Sequence, residues 1–233
     1  MYEGIPLSRR LALQQAILKL PNLVAYYPLN ETEGTVARNY ARTNRGSLNG
    51  TISGATLNQS GKVGRAYSFD GVNDKITISD DNVLDLTNTF TFHALINPTS
   101  LGPSNGGRIL SKENGDGLAY DFLMGPTNGF RVFLNNTLYN STTSIIVIGT
   151  WQQIVATFDK DAASNQIKFY SNGATAGVAT RTTAITGNSG NLRIGDNAAG
   201  TRVFDGLMQH VFMSSGVLSQ EKILKLAQIA NLA

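Results

Sequence analysis

Apolar and polar positions follow two rhythms along the chain. Near its start, Leu7, Leu11, Leu13, Ala16, Ile17, Leu18 and Leu20 recur at spacings of three, four and seven. That is the period of a helix face, though the stripe is broad. The spacing predicts a helix over 7–20, with Ser8 able to cap it and Pro21 stopping it. From Leu23 to Met213 the rhythm shortens to strand and turn. Strands are predicted over 66–69 and 75–79, on either side of the turn-rich Asp70-Gly71-Val72-Asn73-Asp74, and over 90–96, closed by Asn97-Pro98. Others follow at 108–111, 119–124, 129–134, 151–158, 166–170, 174–180, 192–194 and 203–213. Asn172-Gly173 is the strongest hairpin signal in the chain. A last helix is predicted over 219–232, with Ser219 as N-cap and Glu221 in its first turn.

Many short strands without intervening helices point to an all-β sandwich or jelly roll and exclude a βαβ fold. The expected organisation is a helical anchor segment over 1–21 and one sandwich with its closing helix over 22–233. Hydrophobic residues make up 41% of the 233, enough for a sizeable core, while charged residues are only 15%. The net charge is +3 and no basic stripe runs along any element, which argues against a nucleic-acid partner. With no cysteine, disulfides and thiolate metal sites are excluded. No apolar run is long enough for a membrane-spanning helix, and Met1–Leu20 lacks the pattern of a signal peptide.

Several segments carry a family likeness. Val24-Ala25-Tyr26-Tyr27-Pro28-Leu29-Asn30 reads as a first strand and turn. Gly61-Lys62-Val63-Gly64-Arg65-Ala66-Tyr67-Ser68-Phe69-Asp70-Gly71 reads as a glycine-bounded strand ending in Phe-Asp-Gly. Phe90 to Pro98, Trp151 to Asp159, Phe169 to Gly173, Asn191 to Gly195, Phe204 to Gly206 and Leu218 to Ile223 follow in the matching order. Together they resemble the laminin-G-like, concanavalin A-like lectin/glucanase superfamily. The resemblance implies a jelly-roll β-sandwich with short N- and C-terminal helices. It also implies one calcium ion at the sandwich edge, at places held here by Asn39 and Gln209. Neutral amides lack the charge that drives calcium affinity, so the site is expected to be lost or weak and no cofactor is expected. Asp70, Asp74, Asp80, Asp81 and Asp205 are read as turn formers. Glucanases of the superfamily carry a Glu-x-Asp-x-x-Glu strand. Glutamates here occur only at 3, 31, 33, 113 and 221, in no such pattern, so the chain is not expected to be an enzyme.

The remaining candidates concern binding. Arg38, Tyr40, Arg42 and Arg45 form the one basic and aromatic cluster, and are the candidate ligand-binding residues. Tyr2, Tyr120 and Tyr139 are looser candidates for stacking on sugar, while the single Trp151 fits a core or strand-start position of the family the chain resembles. His93 alternates with the core-facing Phe92, and is expected to face solvent or a partner. The helix over 7–20 either packs on its own domain or docks on another protein or a second copy. Leu7, Leu11, Ala16, Ile17 and Leu18 are the candidate assembly residues. Two functional classes follow. The first is a structural or adhesive surface protein of a virus particle, such as a bacteriophage decoration, fibre or tail component. It would sit in the virion, contact other virion proteins or copies of itself, and bind a cell-surface glycan as an added role. The alternative is a bacterial extracellular carbohydrate-binding or adhesion module.

Overall fold

The strand-and-turn rhythm resolves into two antiparallel sheets, and the helices at either end of the chain cover one of them. The computed structural model describes residues 7–114 and 117–233. In chain order the elements are α1 (Leu7–Leu18), β1 (Leu23–Tyr27), β2 (Val36–Ala37), β3 (Gly50–Ser53), β4 (Thr56–Ser60), β5 (Arg65–Asp70), β6 (Lys75–Ile78), β7 (Thr89–Pro98) and β8 (Arg108–Asn114). They continue with β9 (Gly117–Gly125), β10 (Gly129–Leu134), β11 (Thr137–Asn140), β12 (Gln152–Asp159), β13 (Ile167–Ser171), β14 (Ala174–Ala179), β15 (Leu192–Ile194), β16 (Asp205–Ser214) and α2 (Gln220–Ile229). One sheet runs β14-β13-β12-β7-β16-β5-β4, with β1 also paired to β16. The other runs β11-β10-β9-β8-β15-β6-β3-β2.

Between the sheets lies an aromatic core. Phe90 and Phe92 stack at 4.0 Å, and Phe130 meets Phe122 and Phe169 edge-on. The Asp70–Asp74 loop is a corner between sheets and not a hairpin, because β5 and β6 belong to different sheets. Asp70 Oδ1 accepts from the N–H groups of Val72 and Asn73, and Asp74 Oδ2 accepts from Asp70 N, which closes the corner. The Asn172-Gly173 hairpin forms as read. Ser171 pairs with Ala174, and both turn residues take positive φ, 49° and 82°. Strands β2, β3, β4 and β11 had no counterpart in the sequence reading.

The first sheet is apolar on both faces. Along β7, Phe92, Ala94 and Ile96 enter the inter-sheet core. On the opposite side Leu95 joins Tyr26, Val155, Tyr170 and Phe212 in a second core beneath the helices. Leu13 and Ile17 of α1 and Ile223 of α2 are fully buried there. Of the two alternatives for the first helix, packing on its own domain describes the face that carries Leu13 and Ile17. Its buried face covers the chain's own sheet, because full burial of each apolar side chain contributes roughly 1.5–3 kcal/mol. Of the assembly candidates, Ile17 is buried, Ala16 and Leu18 are half-buried, and Leu11 is 44% exposed. Leu7 begins α1, but its side chain lies outside what is described. α1 stops at Leu18, short of the predicted Leu20. Ser219 caps α2 as read, accepting from Lys222 N.

His93 also departs from expectation. It does face away from Phe92, but into this second core and not toward solvent. Its Nδ1 lies 2.9 Å from the His210 carbonyl, its ring stacks on Phe212, and its Nε2 meets the Gln153 amide at 3.3 Å. A carbonyl only accepts, so Nδ1 carries the proton and Nε2 accepts from Gln153. Tyr26 Oη and His210 Nδ1 are 2.6 Å apart. Burial lowers both histidines, His93 to about 4 and His210 to about 3.

Candidate functional site

The second sheet carries no helix, and its outer side holds a row of polar side chains. Leu110, Phe122 and Ile194 point into the core, so their neighbours one residue along point outward. Strand register sets those neighbours in one row across the sheet. Thr77 lies opposite Arg193, Arg193 opposite Ser111, Ser111 opposite Asp121, Asp121 opposite Phe133, and Phe133 opposite Leu138. Neighbouring strands lie about 4.8 Å apart, so Arg193, Ser111 and Asp121 span roughly 10 Å. Phe133 places a half-buried aromatic ring beside them.

The electrostatics of this row are unusual. Asp121 is completely buried, and Arg108 Nε bonds its Oδ2 at 2.6 Å. Burial raises the Asp121 carboxyl to about 6, against the pull of Arg108. Arg131, on the same face, is lowered by burial and by the nearby Arg108. The loop after β15 is tied across this side: Glu113 Oε1 accepts from Ala198 N, and Asp196 Oδ1 accepts from Asn197 N and Arg202 N. Lys75 Nζ approaches Asp196 at 3.9 Å. Among the described residues six buried side-chain polar atoms lack a hydrogen-bond partner. Four of them are here, Ser111 Oγ, Asp121 Oδ1, Arg193 Nη1 and Asp196 Oδ2, although Ser111 lies close enough to Asp121 to pull its carboxyl down and Lys75 offsets the charge of Asp196. Each such atom costs about 1–3 kcal/mol unless water or a ligand satisfies it. None of these residues was singled out in the sequence. The available signal was an acid, Asp121, inside the apolar run Leu118-Ala119-Tyr120-Asp121-Phe122-Leu123-Met124.

The residues proposed from the sequence fall elsewhere. Arg38, Tyr40 and Arg45 line one pocket of about 350 Å³ with Asn39, Gly46 and Asn49. Arg42 lines a larger neighbouring groove formed with the end of α1 and residues 83–89. Tyr120 is buried in the core with its hydroxyl on the Leu84 carbonyl. Tyr139 packs against that core, and Trp151 packs beside the helices. Tyr2 lies outside the described residues. The two calcium candidates do not fit a cation. Asn39 Oδ1 accepts from Tyr26 N and Ala41 N, and the Gln209 amide bridges the N–H and carbonyl of Val63. Among the described residues no three His, Asp or Glu side chains group to hold a metal.

Two antiparallel sheets packed face to face, one of them backed by the two helices, form a jelly-roll type β-sandwich. A laminin-G-like family model, described as the concanavalin A-like lectin/glucanases superfamily, matches residues 70–224. The chain belongs to that superfamily. No curated protein sequence matches it. Similar solved structures include domain 4 of AbnA, an extracellular arabinanase from Geobacillus stearothermophilus, in complex with arabinotriose. It is 19% identical, with 89% of this chain and 98% of that one covered and a TM-score of 0.66. The binding domain of Paraclostridial Mosquitocidal Protein 1 is 13% identical over 88% of this chain and 52% of that one, with a TM-score of 0.64. A Trypanosoma rangeli sialidase in complex with sialic acid is 12% identical over 90% of this chain and 33% of that one, with a TM-score of 0.61. The chain thus spans nearly all of the arabinanase domain, about half of the toxin domain and a third of the sialidase. At these identities the likeness is one of fold.

Proposed function

We propose that this chain is a non-catalytic glycan-binding module, and that its saccharide lies along the Arg193–Ser111–Asp121 row. The observation carrying this reading is the group of partly exposed side chains around buried Asp121: the Arg108, Arg131 and Arg193 guanidiniums and the Phe133 ring. A sugar's vicinal hydroxyls each donate and accept, so one ring can satisfy donors and acceptors that face it together. Phe133 beside Asp121 offers an apolar ring for a sugar face. Binding of arabinotriose and sialic acid by structurally similar proteins is consistent with the reading. Hydrolysis is disfavoured. Retaining chemistry needs a nucleophile and an acid about 5 Å apart, whereas Arg108 holds Asp121 and the Ala198 N–H engages Glu113. A place in a virus particle has no separate support, since the apolar face assigned to assembly is largely covered by the chain itself.

Calorimetric titration with arabino-, xylo- and cello-oligosaccharides tests the proposal. At least one should bind, and Asp121→Asn and Arg193→Gln should each weaken it tenfold or more, with no reducing ends released. The reading fails if none binds at millimolar concentration, if both variants bind like the parent, or if saccharide is cleaved.

A further inference from the structure

The pocket built by Arg38, Tyr40 and Arg45 is distinct from the Arg193–Ser111–Asp121 face and has its own chemistry. Its backbone is pinned from several sides. Arg38 N donates to Glu31 Oε1, Asn39 N to Asn49 Oδ1, and Tyr40 N to the Tyr26 carbonyl at 2.8 Å. Asn39 Nδ2 donates to the Asn44 carbonyl at 2.7 Å and so fixes the loop that carries Arg45. The Arg45 guanidinium sits 5.9 Å over the Tyr40 ring, which is itself edge-on to Tyr26.

The side-chain acceptors around this pocket are already engaged. Asn39 Oδ1 takes two N–H groups and Asn49 Oδ1 takes one. Glu31 receives Arg38 N on one oxygen, and Asn30 N and the Tyr67 hydroxyl on the other. Among the lining residues the uncommitted groups are chiefly donors: the Arg38 and Arg45 guanidiniums and the Asn49 amide N–H₂, with the Tyr40 hydroxyl, which both donates and accepts. Among the described residues, neither guanidinium has a carboxylate within ion-pair distance. A cavity that offers donors and positive charge selects an oxyanion, and the planar guanidinium fork suits one bidentately. Asn39 also stands where the family resemblance implies calcium. The two arginines beside it supply, as side-chain charge, the positive potential a cation would bring.

We propose that this pocket binds an oxyanion, a carboxylate or sulfate carried on a saccharide, without a divalent cation. The saccharide part rests on the glycan-binding reading above, whereas the anion part stands on the pocket alone. The test uses the whole chain with dextran-sulfate oligosaccharides, oligogalacturonate, neutral dextran oligosaccharides and sodium sulfate, with and without EDTA. At least one of the two acidic oligosaccharides should bind, neutral dextran of equal length at least tenfold more weakly. EDTA should have no effect. Arg38→Gln combined with Arg45→Gln should lose tenfold or more in acidic-ligand affinity, with an unchanged melting curve. Arg42→Gln, in the neighbouring groove, should lose less than threefold. The proposal is overturned if the double variant binds as the parent does, if EDTA abolishes binding, or if equimolar sodium sulfate displaces the oligosaccharide completely. Acidic binding that depends on Arg38 and Arg45, together with no neutral binding that depends on Asp121, would refute the first site and leave this one standing.

Discussion

Lowering the pH from 6.5 to 4.5 should test the buried polar groups on the outer sides of both sheets, because three of them pull stability in two directions. His93 and His210 have folded values near 4 and 3, below the ordinary 6.5. In this window the unfolded chain takes up two protons that the folded chain refuses. Their contribution is fully present above 6.5 and is lost as the pH falls. At about 1.4 kcal/mol per proton per pH unit, the pair removes about 5 kcal/mol over two units. Asp121 acts oppositely. Its folded value near 6 lies above the ordinary 3.8, so the folded chain takes up a proton first and gains stability as the pH drops from 6. That returns about 2 kcal/mol by pH 4.5. Asp74, also raised by burial, works in the same sense as Asp121. Asp70, lowered by the N–H groups of its turn, does not oppose it within the window. The net expectation is a loss of about 3 kcal/mol, a large part of the 5–15 kcal/mol typical of a domain. Urea unfolding followed by Trp151 fluorescence at pH 6.5, 5.5 and 4.5 measures it. Asp121→Asn should deepen the loss by about 2 kcal/mol. A parent stability that is flat or rising toward pH 4.5, or an Asp121→Asn variant with the parent's pH slope, would refute the reasoning.

Two further outcomes follow from packing. Leu13→Ala with Ile17→Ala should cost about 4–10 kcal/mol, judged by the usual 2–5 for each such truncation, and should expose the sheet beneath to a hydrophobic dye. An unchanged urea midpoint would show that α1 is not part of the core. Lys112, fully buried, bonds Asp80 and the carbonyls of Asn188 and Gly190, with Asp85 at 3.6 Å. Lys112→Met should cost about 3 kcal/mol, the low end for a broken buried pair, because the two aspartates are about a third exposed and can rehydrate. A loss below 1 kcal/mol in the same urea assay would contradict that role.

What the sequence revealed depended on how local the determinant was. The Asn172-Gly173 turn and the Ser219 cap were legible because a few adjacent residues decide them. Strand β4, Thr56-Leu57-Asn58-Gln59-Ser60, was not, since it lies at a sheet edge and carries one apolar residue. His93 was placed on the correct side of its strand. Its burial was invisible, because the cover comes from helices at opposite ends of the chain. The Arg38–Arg45 cluster was legible through density in sequence, although Arg42 turned out to face a different groove. The Arg193–Ser111–Asp121 row was hidden. Strand order places β15 beside β8, so residues 111 and 193 meet only once the sheet is assembled.

The placement of α1 and α2 has a consequence for attachment. The two helices contact each other on the same sheet, opposite the bare one. Polypeptide, surface or label joined through either helix therefore leaves the molecule on its far side from Arg193, Ser111 and Asp121. Immobilised through either helix, the sandwich would turn the second sheet outward. Several copies tethered side by side would present a row of parallel faces, a geometry in which weak individual contacts with a polymeric glycan add up to firm adhesion.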